Sequence, residues 1–135
     1  MDRVFLDSNV LISAAWLPEP ELRQLWGRAT VSLRTSAYAL DEARRNLPGA
    51  DRLARFERLI EALAVVPDDH PEVELPAIAA GLPDDDVPIL LAAIASRSTH
   101  LLTGNKHDFH ALYGRHVDGV LVLRPRAYLD LVAGR

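Results

Sequence analysis

Four carboxylates, each beside an apolar segment, are the residues of this chain best suited to chemistry. They are Asp7 in "VFLDSNVLISAAW", Glu42 in "ALDEARRNL", Asp86 in "DDDVPILLAAIA" and Asp108 in "LLTGNKHDF". Two carboxylates within ~4 Å of each other repel by roughly 4 kcal/mol at an effective dielectric of about 20. Four in one place therefore require retained protons or a divalent cation. Oxygen ligands without cysteine favour Mg²⁺ or Mn²⁺ over zinc. Acidic sites of this type hold metal ions for phosphoryl chemistry.

Each acid also has a plain structural reading. Asp7 can cap the helix that follows it, a task Ser8 or Asn9 could share. Asp86 ends a run of three acids ahead of an apolar helix, where one would suffice to complement the helix dipole. Glu42 can lie on a solvated helix face, and Asp41 points about 100° away from it. Asp108 can open a turn at Phe109. Their common position is what separates the two readings.

Strand-like and helical patterns alternate along the chain. Strands are expected at Arg3–Leu6, Val31–Thr35, Ala64–Val66, His100–Thr103 and Val120–Leu123. Helices are expected at about Asn9–Ala15, Glu21–Arg28, from a cap at Ser36 to about Leu47, at Asp51–Leu63, a short one at Ala77–Ala80, one following Asp86, and at Pro125–Ala133. This alternation implies a three-layer α/β/α sandwich: a central, mostly parallel sheet of about four to five strands, with helices on both faces. The whole chain, 1–135, is read as one domain. Such sheets take ligands at the carboxyl ends of their strands, which is where Asp7 and "TGNKHD" fall.

Composition narrows the partners. Hydrophobic residues are 49% and charged residues 25%, as in a soluble globular protein. No apolar run approaches the ~18–20 residues that span a bilayer. The amino terminus does not read as a signal peptide, so a cytoplasmic protein without membrane association is expected. Without cysteine there is no disulfide or thiolate metal site. Net charge is −4, which weakens a nucleic-acid reading without excluding it. Lys106 is the only lysine and every other cation is arginine, a residue suited to bidentate phosphate contact.

The four quoted segments, in their order and spacing, resemble the PIN-domain family, which includes the toxin ribonucleases of VapBC-type toxin–antitoxin pairs. The resemblance runs from Arg3 to about Leu123. It implies a metal-dependent endoribonuclease in which Asp7, Glu42, Asp86 and Asp108 are the catalytic and metal-holding acids, with Asp85 a second choice for the third. Many relatives carry T-G-D where this chain has Asn105, and others read T-x-N-x-x-D-F, which "TGNKHDF" matches. Bound Mg²⁺ or Mn²⁺ would activate water for in-line attack on phosphorus, leaving a 5′-phosphate and a 3′-hydroxyl. Ser8 and Asn9 would orient Asp7 or a water. Lys106, Arg44 and Arg45 are candidates for gripping the RNA backbone. A cognate antitoxin and a homodimer are the implied protein partners.

Two other readings compete. A catalytically silent module of the same fold, binding RNA or a protein, fits the negative charge and Asn105. A phospho-aspartate protein fits an Asp ending the first strand, but the phosphatase pattern wants a second Asp where Asn9 stands. His107 and His110 flank Asp108 without completing a zinc set. Trp16 and Trp26 are better placed for packing than for stacking on bases.

Overall fold

The computed structural model describes residues 1–104 and 109–135. The first apolar run forms β1 (Asp2–Leu6), and Asp7 turns the chain directly into α1 (Ser8–Trp16). After a 3₁₀ helix at Glu21–Gly27 come β2 (Val31–Ser36), α2 (Ala37–Arg45), α3 (Ala50–Ile60) and β3 (Ala64–Val66). A long loop with a 3₁₀ turn at Ala77–Ala79 leads to α4 (Val87–Ala95) and β4 (His100–Leu102). A third 3₁₀ turn, His110–Leu112, precedes β5 (His116–Val117), β6 (Val120–Leu123) and α5 (Pro125–Ala133).

The sheet has six strands in the order β3-β2-β1-β4-β6-β5, parallel except for the β5–β6 pair. The strand beyond the expected five is β5, joined to β6 through Asp118 and Gly119. Both sit at positive φ, 47° and 85°, as a two-residue hairpin turn requires. The Asp-Gly pair between two valines signals that hairpin in the sequence.

Alternation along the central strands divides the core between the two sheet faces. Val4 and Leu6 of β1, Leu33 of β2 and Leu102 of β4 pack with α1, α2, α3 and α5. Phe5 and Leu101, beside them in the ladder, point the other way and pack with α4, Val120 and Val122. Helices thus cover both faces, as the alternation of patterns implies. Among the described residues no helix is long and apolar enough to cross a membrane.

Three helices differ from their expected form. Glu21–Gly27 is 3₁₀ rather than α-helical and has no side-chain cap, consistent with a short segment hemmed in by Pro18 and Pro20. α2 stops at Arg45, short of Leu47, because Pro48 disfavours helical backbone at the residue before it. There Asn46 Nδ2 donates to the Glu42 carbonyl at 2.8 Å, closing the last turn. α3 ends at Ile60, before Leu63.

Ser36 caps α2 as expected, its hydroxyl accepting from Ala39 N–H at 3.1 Å. Because α2 carries Glu42, this cap helps to place the candidate site. Ser36→Ala is expected to cost about 1 kcal/mol, read as a lower denaturation midpoint with an unchanged slope in urea.

Candidate active site

β1 lies between β2 and β4, so its carboxyl end is where the strand order reverses, the place where sheets of this kind take their ligands. Asp7 stands there, 2% exposed. The Asp7 backbone N–H donates to the Leu102 carbonyl, and Thr103 N–H donates to the Leu123 carbonyl. These bonds hold the exits of β1, β4 and β6 side by side.

Asp7 caps α1, accepting from Ser8 N–H at 2.6 Å on Oδ1. Its other oxygen accepts from the buried Thr103 hydroxyl at 2.8 Å. The capping reading and the site reading are therefore both true of one side chain. Burial pushes the Asp7 carboxyl up to about 6; the Thr103 and Ser8 donors oppose the rise, and the Glu42 carboxylate adds to it.

Glu42 reaches the same place from α2. The Ser8 hydroxyl donates to Glu42 Oε1 and lies 3.4 Å from Asp7 Oδ1, so one serine bridges two acids far apart in sequence. Asn9 acts one step further out. Its Oδ1 accepts from Gly104 N–H at 2.8 Å and its amide approaches the Thr103 hydroxyl at 3.4 Å. It thereby fixes the loop leaving β4 and, through Thr103, the Asp7 carboxylate.

Asp86 takes the N-cap position of α4 but makes no capping bond with its side chain. Its charge nonetheless stands at the amino-terminal end of α4, where it complements the helix dipole. Asp85 is exposed, and its carbonyl accepts from the Tyr38 hydroxyl at 2.8 Å. Tyr38 lies one turn before Glu42 on α2, hence on the same face. Burial raises its phenol pKa, and the Glu42, Asp85 and Asp86 carboxylates raise it further. Tyr38 thus ties the segment bearing Asp85 and Asp86 to the helix bearing Glu42. Among the described residues no three acids or histidines are grouped closely enough to hold an ion by themselves. Asp108, Asn105 and Lys106 lie outside the described residues.

The candidate cations differ in their engagements. Arg44 is held by Glu57 at 2.7 Å and faces Asp41 at 3.7 Å. Arg45 is exposed, and its charge opposes the rise of the Tyr38 phenol. Three participants escape the sequence reading: Tyr38, Thr103 and Arg124. Arg124 follows β6 and stands 4.9 Å over the Tyr113 ring, whose hydroxyl donates to the Thr103 carbonyl at 2.9 Å. For Thr103 the available signal is a hydroxyl ending an apolar strand; for Tyr38 it is the spacing of four to Glu42.

Thr103→Val tests the support around Asp7. Removing a hydroxyl donor from a buried carboxylate costs about 1–3 kcal/mol and is expected to raise the Asp7 pKa further. Carboxyl ¹³C NMR titration reads that shift directly.

Fold and site together define a doubly wound α/β protein in which Asp7 and Glu42 meet through Ser8 at the switch point of the sheet. A family model described as "PIN domain" matches residues 3–107, and the chain belongs to that family, whose members are generally nucleases. Solved structures share the fold. The chain aligns over 90% of its length, and 98% of the other chain, with VapBC2 from Rickettsia felis bound to a promoter DNA fragment, at TM-score 0.59 and 14% identity. VapBC-1 from nontypeable Haemophilus influenzae gives TM-score 0.56 and 14% identity over 92% and 98% of the two chains. FitAB bound to an IR36 DNA fragment gives TM-score 0.55 and 22% identity over 90% and 94%. A search of curated protein sequences gave no significant match.

Proposed function

We propose that this chain is a divalent-metal-dependent endoribonuclease, acting as the toxin of a toxin–antitoxin pair. The observation that carries the reading is the convergence of Asp7 and Glu42 on Ser8 at the carboxyl edge of the sheet. Family membership and the fold shared with VapBC and FitAB structures support it.

The residues present fit Mg²⁺ or Mn²⁺. The donors are hard oxygens, and a buried carboxylate beside a second carboxylate is a pair that a cation would relieve. Asp7, Glu42 and Asp86, joined by Asp108, would hold the ion, with Asp85 the substitute for Asp86. Once bound, the ion lowers the pKa of water and offsets charge developing on the phosphate. Thr103 and Ser8 N–H fix the rotamer of Asp7, and the Ser8 hydroxyl orients Glu42. Tyr38 keeps the Asp85–Asp86 segment against α2. Arg45 and Arg124, together with Lys106, would meet the RNA backbone, while Arg44 is already committed to Glu57.

Single-stranded RNA incubated with the protein and Mn²⁺ is expected to yield fragments with 5′-phosphate and 3′-hydroxyl ends, and EDTA to suppress them. RNA left intact would reject the nuclease reading. The silent-module alternative draws on the lack of a preformed group of three acids among the described residues. An ion that binds at Asp7 but supports no turnover would select it.

A further inference from the structure

A second charged feature lies at the opposite end of α1. The helix starts at the Asp7–Glu42 site and ends at Trp16, ~13 Å away at 1.5 Å per residue. There an open cavity of about 420 Å³ is lined by Pro18, Arg23, Trp26, Arg55, Arg58 and Leu59, with no acid among its walls. An adjoining hollow, whose walls include the acid Asp51, adds Arg52, whose guanidinium stands 4.0 Å over the Trp16 ring.

Nearly all engagements of these guanidiniums are with backbone carbonyls. Arg55 donates to Ala15 and Trp16 at 3.0 Å, Arg52 to Trp16 at 3.1 Å, and Arg23 to Pro18 at 3.0 Å. These bonds orient the arginines and close the end of α1, but carbonyls carry no formal charge. Among the described residues none of the four forms an ion pair, and Arg58 is exposed. A protein of net charge −4 thus gathers four arginines beside Trp16 and Trp26, with Asp51 the one acid lining the two hollows and no ion pair to any of the four among the described residues.

We infer that this arginine cavity is a second nucleic-acid site, which grips the phosphates of a single RNA strand whose cleaved bond lies at the Asp7–Glu42 site. Forked guanidiniums suit phosphate oxygens, and Trp16, exposed and stacked with Arg52, offers a ring for an unpaired base, whereas Trp26 packs on the core and donates to the Leu59 carbonyl. The identity of the anion as RNA rests on the proposed nuclease function; the charge of the cavity does not. Binding here is independent of sequence, because only the backbone and ring faces are read. Arg55 is a positioning residue for α1, whereas Arg58 is exposed and Arg23 is tied only through Nη1 to the Pro18 carbonyl, leaving its other N–H donors to meet the strand.

The test is fluorescence anisotropy of a labelled oligoribonucleotide of about a dozen nucleotides with Asp7→Asn protein in EDTA, so that neither cleavage nor metal contributes. Arg23→Gln with Arg58→Gln is compared with Arg97→Gln plus Arg115→Gln, two exposed arginines elsewhere. The cavity pair is expected to weaken binding roughly tenfold. Its slope of log K against log salt should fall by about 1.4, near 0.7 for each phosphate no longer neutralised by a guanidinium. Arg58→Gln alone should lower the slope by about 0.7 and guards against misfolding of the double variant. Equal effects from the control pair, or an unchanged slope, would overturn the site. So would displacement of RNA by polyglutamate at matched charge, which would assign the cavity to an acidic protein. Because cleavage is not read, a failure here leaves the nuclease proposal standing, and a failure to cleave leaves this site testable.

Discussion

Asp7→Asn is expected to slow RNA cleavage at saturating Mn²⁺ by at least ~100-fold while leaving the fold intact. Asparagine has the same shape, and its Oδ1 can still accept from Ser8 N–H, so α1 keeps its cap. What disappears is a buried negative charge at the switch point and the ability to hold a divalent ion firmly. Losses of 10–100-fold are usual for groups that merely support a metal ligand; an acid that holds the ion should cost more. The check is kcat for both proteins, with circular dichroism confirming folding. Rates within a factor of two of each other would remove Asp7 from the chemistry.

The same substitution should stabilise the metal-free protein at neutral pH. The Asp7 pKa is raised from 3.8 to about 6, chiefly by burial. Between those values the folded state binds more protons at Asp7 than the unfolded state, so stability falls as pH rises through that window. The contribution is most favourable below the unfolded value and is fully lost above about pH 6. A shift of about two units corresponds to about 3 kcal/mol, or a Tm difference of roughly 5–10 °C for a chain of this size. Without metal, Asp7→Asn should therefore melt above wild type at pH 8, with the gap closing near pH 4. Adding Mg²⁺ should raise the wild-type Tm more than that of the asparagine variant, because the variant binds the ion more weakly and has no Asp7 charge for it to relieve. Scanning calorimetry across pH checks both points, and a gap constant with pH would contradict them.

The sheet is legible in the sequence because its signals are local. β1 and β4 are short apolar runs, and Ser36 is a cap whose bond forms as its position implies. The two-residue β5 is too short to show a period of its own; the Asp118–Gly119 turn is what marks it. The acids are a different case. Asp7 and Glu42 are legible as residue types, but their meeting through Ser8 depends on how α2 packs against α1. Tyr38 and Thr103 escape because their roles exist only across elements. One hydroxyl reaches the Asp85 carbonyl and the other the Asp7 carboxylate. Arg44 and Arg45 look equivalent in sequence, yet Glu57 on α3 engages only Arg44.

The most direct measurement is a Mn²⁺ titration followed by electron paramagnetic resonance on wild type, Asp7→Asn, Glu42→Gln and Asp86→Asn. Wild type is expected to bind the ion, and each substitution to weaken binding at least ~10-fold. Glu42→Gln or Asp86→Asn protein binding Mn²⁺ as tightly as wild type would show that these acids do not share one ion, and the proposed centre would be wrong.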